Sequence, residues 1–132
     1  MSEQNITFIK NPITQNSKGK YKEINVDAMR ILESWRLSMF SFEWLDAKGK
    51  IKPIEELSKK EQAKRLIVED KIKKKEPLEK PVLGIGIAEN IEIGSGRAEL
   101  LTLVVQGLRA IPVHIPKSNE KDFKDFLVDI GS

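Results

Sequence analysis

The chain contains no cysteine, a single histidine, and no apolar run approaching the ~20 residues that cross a bilayer. The first absence removes disulfide frameworks, thiol nucleophiles and cysteine-ligated zinc together. With one imidazole and no thiolate, a transition-metal site lacks its usual ligands, so no metal site is expected. The opening residues MSEQNITFIK have no apolar core of the kind a secretory leader carries. Cytoplasm is therefore the expected location, and no membrane partner is expected. The chain also lacks a P-loop and a nucleophile elbow, and Gly84-Ile85-Gly86 lacks the third glycine and following helix of a dinucleotide fingerprint. The carboxylates Glu43, Glu89, Glu92 and Glu99 show no spacing diagnostic of paired acid and base work. No internal repeat marks a solenoid or propeller.

What is present suits one globular domain. The 132 residues are 39% hydrophobic and 33% charged, with a net charge of +3, enough to bury a core without covalent help. Residues 1–22 are polar and rich in turn signals, and are expected to be a loosely ordered N-terminal segment, with Ile6, Phe8 and Ile13 available for one short strand. Residues 23–132 are expected to form a single domain. Charge is uneven: Ser58 to Lys80 holds nine Lys and Arg against five Asp and Glu. A segment of that kind is either a solvated helix face or a surface for nucleic acid.

In chain order, Ile24–Val26 reads as a brief strand. Asn25 or Asp27 then caps a helix from about Ala28 to Leu37 with Ala28, Ile31, Leu32 and Trp35 inward. Ser38–Leu45 alternates, with Phe40, Phe42 and Trp44 in one phase, which predicts a strand with a buried aromatic face. Ser58 and Glu61 have capping-box spacing, and a helix is predicted from there to about Lys74 with Ala63, Leu66 and Ile67 inward. Near the end, Phe123, Phe126, Leu127 and Ile130 predict a short helix starting at Ser118 or Asn119 and closed by Gly131.

Between these lies Pro81–Pro116. Leu83, Ile85 and Ile87 share one side of a strand, Ala88–Asn90 makes a hairpin connection, and Ile91–Ile93 continues as a second strand. The period changes after Gly94-Ser95-Gly96-Arg97. A helix is predicted over Ala98–Gln106, stopped at Gly107, with Leu103 and Leu108 in apolar contact. A last strand alternates Ile111, Val113 and Ile115 with Pro112 and His114, and Pro112 predicts a sheet edge. His114, a lone strand histidine, is expected to be structural or on the surface. The whole is an α/β (α+β) fold, a small mixed β-sheet flanked by helices. Its chemistry is expected where the second strand hands over to the helix. There the open amides of the helix N-terminus, two glycines, the Ser95 hydroxyl and the Arg97 guanidinium make either a tight turn or an anion site.

The segment PVL…NIEIGSGRAELL…GLRAIPVHI resembles the core of the ParB/sulfiredoxin-like superfamily. Its members share a strand pair, a Gly-x-x-Arg turn, a helix and a Gly-Leu-x-x-(Ile/Val)-Pro-Val strand. Here these are Gly94–Arg97 and Gly107–Val113. The resemblance implies that Gly94, Ser95, Gly96 and Arg97 bind nucleotide phosphates, with CTP or ATP and Mg²⁺ as cofactors. Glu99, Lys80 and His114 are candidate accessory residues, and the preceding helix would bring Lys73, Lys74, Lys75 or Lys80 near the phosphates. The chain departs from the pattern: no cysteine stands in the turn, so sulfiredoxin activity is excluded. Gly96 replaces the histidine that precedes the arginine in sulfiredoxins and serine kinases, and the second basic residue of ParB is absent. An alternative register beginning at Gly96 places Glu99 where the arginine belongs.

Three functions follow as expectations. The first is a ParB-like nucleotide- or phosphate-binding module, linked to plasmid, phage or DNA maintenance. The second is a non-catalytic interaction or scaffold protein whose site has decayed. The third is a ParB-like nuclease, resting on the resemblance and on nucleic-acid contact through the basic 58–80 segment. Partition proteins carry a helix-turn-helix reader after this core, whereas 16 residues follow Pro116, so sequence-specific DNA reading by this chain alone is not expected.

Overall fold

The computed structural model describes residues 6–16 and 19–128. Among the described residues, six strands and three α-helices run in the order β1 (Phe8–Ile9), β2 (Tyr21–Asp27), α1 (Ala28–Trp35), α2 (Lys59–Lys73), β3 (Leu78–Glu79), β4 (Val82–Ile85), β5 (Ile91–Ser95), α3 (Arg97–Val105) and β6 (Ala110–Pro116). The main sheet is mixed, in the order β2-β6-β4-β5: β6 is antiparallel to β2 and parallel to β4, and β4 and β5 form the hairpin. A second, two-stranded sheet pairs β1 with β3 in parallel. This is the α/β architecture the apolar periods indicated.

Local chemistry explains each element. Asp27 accepts from the N–H groups of Met29 and Arg30 at 3.0 and 3.1 Å, so it is the N-cap of α1. Ala28, Ile31, Leu32 and Trp35 are the buried stripe of that helix. α3 buries Ala98, Leu100, Leu101, Thr102 and Leu103, so it lies deep in the molecule. Gly107, at φ 93°, stops it: its N–H bonds to the Val104 carbonyl and the Leu108 N–H to that of Leu103, which is the Schellman pattern.

Several expectations are corrected. β6 is central, not an edge. His114 donates its N–H to the Pro81 carbonyl on the β4 side, and by strand alternation Pro112 faces that same side. There β4 and β6 pair only at Val82 and His114, so the missing proline donor interrupts no ladder bond. Residues 38–45 are not a strand. The hydroxyl of Ser38 accepts from the Phe40 N–H and that of Ser41 donates to the Arg36 carbonyl, and these bonds curl the chain into a 3₁₀ turn over Ser41–Glu43. Phe40 and Phe42 are consequently 49% and 67% exposed, and Trp44 alone of the three is buried.

In α2, Ala63, Leu66 and Ile67 face outward, while Glu61, Arg65 and Val68 face inward. The buried polar groups have partners that a local pattern does not reveal. Glu61 accepts from the Trp44 indole N–H at 2.9 Å, and Arg65 donates to Glu69 at 3.0 Å and to the Lys52 carbonyl. Ser58 does cap the helix by accepting from the Glu61 N–H, but the Glu61 carboxylate faces Trp44 and Lys64 and does not reach back. The C-terminal helix is instead two 3₁₀ turns, Lys117–Asn119 and Lys121–Phe126, with Phe123 buried. Ile130 and Gly131 lie outside the described residues. The division expected at residue 22 falls within β2. Before it, Asn11 is 2% exposed and bonded to β6, so the stretch around it is part of the packed structure.

Candidate functional site

β5 ends at Ser95 and α3 begins at Arg97, leaving Gly96 to make the corner. Its backbone sits at φ 84°, and a Cβ there would lie 3.0 Å from the Pro81 Cα, so only glycine fits without displacing the backbone that leads into β4. The first intrahelical bond runs from the Leu100 N–H to the Gly96 carbonyl at 2.9 Å. The N–H groups of Arg97, Ala98 and Glu99 therefore precede the helical ladder, and among the described residues no side chain caps them. They border a cleft of ≈ 410 Å³ whose walls are Ile93–Glu99 on one side and Glu61, Lys64, Ile67 and Val68 of α2 on the other.

Gly94, Ser95, Gly96, Arg97 and Glu99 are thus brought together around one hollow. The Arg97 side chain, however, already has partners. Its Nη1 donates to the Glu43 carboxylate, and its guanidinium lies 5.8 Å from the Trp35 ring centroid and 5.6 Å from that of Phe40. Its Nε is buried and has no partner among the described residues. The Ser95 hydroxyl accepts from the Asn11 amide at 3.3 Å, so its own hydrogen is available to a further acceptor.

The two basic accessory candidates stand elsewhere. Lys80 pairs with Glu23 and holds that carboxyl below its ordinary value, chiefly through the hydrogen bond between them. The His114 Nε2 accepts from the Asn11 N–H at 3.0 Å, and its ring lines a different cavity. Lys73, Lys74 and Lys75 are also absent from the cleft wall, because α2 presents its N-terminal half to the turn; Lys74 pairs with Asp70 at 3.0 Å. Lys64, one turn in from the start of α2, is the lysine that reaches the hollow, with its ammonium 3.6 Å from Glu61.

Sequence reasoning reads Lys64 as a solvent-facing helix lysine and Asn11 as a turn signal, and gives neither a part in the site. For Lys64 the signal was available: it stands three residues after the capping-box glutamate, on the same face. Asn11 gave none, since its role depends on β6, Ser95 and the Lys80 carbonyl arriving from far along the chain.

Chemically, the turn offers three aligned N–H donors and a hydroxyl. Lys64 lines the cleft next to the Glu61 carboxylate, whereas the Arg97 guanidinium is held by Glu43, Trp35 and Phe40, none of which lines it. Among the described residues no cluster of three or more acidic or histidine side chains is arranged to hold a metal ion. No described helix is long and apolar enough to cross a membrane. No protein-family model, no curated protein and no solved structure matches this chain.

Proposed function

We propose that this chain is a small nucleotide- or phosphate-binding module of the ParB/sulfiredoxin-like kind, with the turn between β5 and α3 as its anion cradle. The observation that carries this reading is the uncapped N-terminus of α3 opening onto a cleft of ≈ 410 Å³. The N–H groups of Arg97, Ala98 and Glu99 and the Ser95 hydroxyl donate to phosphate oxygens, and Lys64 supplies charge. Gly94 and Gly96 let the ligand approach the backbone. Arg97 exchanges Glu43 for a phosphate oxygen, one charge-assisted bond for another. Ile67 and Ile93 give the cleft apolar wall against which a base can rest. CTP or ATP are the nucleotides the resemblance points to. The carboxylate placed to meet an accompanying Mg²⁺ is that of Glu99, which has no ion-pair partner among the described residues. The cysteine-free composition fits the cytoplasm.

A second reading, an interaction scaffold with a decayed site, is favoured by the engagement of Arg97 with Glu43, Trp35 and Phe40. Thermal unfolding with millimolar CTP, ATP or inorganic phosphate, with and without Mg²⁺, separates the two. The binding reading expects stabilisation that is lost in Lys64→Ala and strengthened in Glu43→Gln, where the guanidinium is released. No stabilisation of either the wild type or Glu43→Gln leaves the scaffold.

A further inference from the structure

A second cavity lies away from the cleft described above and shares no residue with it. Among the described residues it is lined by Lys10, Thr14, Gln15, Gly19, Tyr21, Glu23 and His114, and measures ≈ 460 Å³, a size that accepts a small metabolite. His114 is only 2% exposed. Its Nε2 accepts the Asn11 backbone N–H at 3.0 Å, so that nitrogen carries no hydrogen. The hydrogen of the neutral ring is then on Nδ1, which has no protein acceptor among the described residues. A buried imidazole therefore offers the cavity a donor of fixed tautomer, and protonation would set two N–H groups against each other at Asn11.

The surrounding charges decide what that donor is for. Glu23 is the direct cross-strand neighbour of His114, and Lys80 occupies its Oε1 while the Lys10 ammonium stands 3.9 Å from its Oε2. Two ammonium groups against one carboxylate leave this corner with a surplus positive charge. The Thr14 hydroxyl already donates to the Asn11 carbonyl at 2.8 Å. From this juxtaposition we infer that the cavity is a binding site for a small oxyanion-bearing molecule, a carboxylate or a phosphate, received by the His114 Nδ1–H and the Lys10 ammonium.

Because the chain has one histidine, the imaging of its imidazole nitrogens by long-range ¹H–¹⁵N correlation gives a single spin system. The free protein should show Nδ1 protonated and Nε2 bare. Adding acetate or inorganic phosphate, with ionic strength held constant by chloride, should move the Nδ1 signal to saturation. In Lys10→Gln, an exposed and therefore foldable variant, the midpoint should rise about tenfold, the worth of one charge-assisted hydrogen bond. Tighter saturation by acetate identifies a carboxylate ligand, and by phosphate a phosphate ester. A bare Nδ1 in the free protein overturns the inference. So does a linear response to both anions, or an unchanged midpoint in Lys10→Gln.

Discussion

At Gly96 the positive φ and the nearness of Pro81 act together, whereas Gly94 has neither constraint: a Cβ there would meet the Val82 carbonyl at an ordinary 3.5 Å. Gly96→Ala should accordingly cost about 1–3 kcal/mol in urea unfolding, and Gly94→Ala well under ~1 kcal/mol. Equal costs would mean that the corner is not shaped as described. His114 gives a pH signature. Burial, with Lys80 and Lys10 adding to it and Glu23 opposing, keeps its ring below the ordinary value of 6.5. Below that value the unfolded chain takes up a proton that the folded chain refuses, so stability falls with acidification. The melting temperature should begin to drop as the pH falls through the ordinary histidine value of 6.5, and drop less in His114→Gln. Glu23, whose carboxyl is held below 4.5, loses its contribution only at lower pH and does not confuse that window. The glycine corner was legible from the sequence because glycine pairs before a helical period have few uses. The ring environment was not, because Asn11 and Glu23 reach His114 only through the fold.

Elements were readable where their own side chains decide the outcome. α1 is the clearest: its start and its stripe of Ala28, Ile31, Leu32 and Trp35 follow from local spacing, which offers Asn25 or Asp27 as the cap, and Asp27 is the one that caps. The cap is testable. Asp27→Ala leaves the N–H groups of Met29 and Arg30 without that acceptor and should cost about 1 kcal/mol, with Asp27→Asn largely retaining stability. An Asp27→Asn variant as unstable as the alanine would point to charge rather than capping. α2 was misread for an opposite reason. Its inward stripe is Glu61, Arg65 and Val68, two of them charged, and a pattern that equates apolar with buried selects the wrong face. The aromatic stretch 40–44 failed likewise: alternation favoured a strand, and two serine hydroxyls bending the backbone outweighed it.

For the molecule as a whole, the α/β class could be read from periods, but strand order could not. Nothing local says that β6 lies between β2 and β4, since the proline that argued for an edge happens to face the side where pairing has ended. The position of the cleft was legible through the change of period at Gly94–Arg97, while the partner α2 offers it, Lys64, required the packing of α2 on α3. The longest ladder in the molecule joins β2 to β6, from Tyr21 opposite Pro116 to Asp27 opposite Ala110. Those partners are roughly 80–100 positions apart along the chain, so most of the polypeptide must be gathered before the ladder can close. Refolding should consequently be slow for a chain of this length, on a scale of milliseconds to seconds, and until that closure β6 keeps bare the edge that β2 covers in the finished sheet, open to other chains.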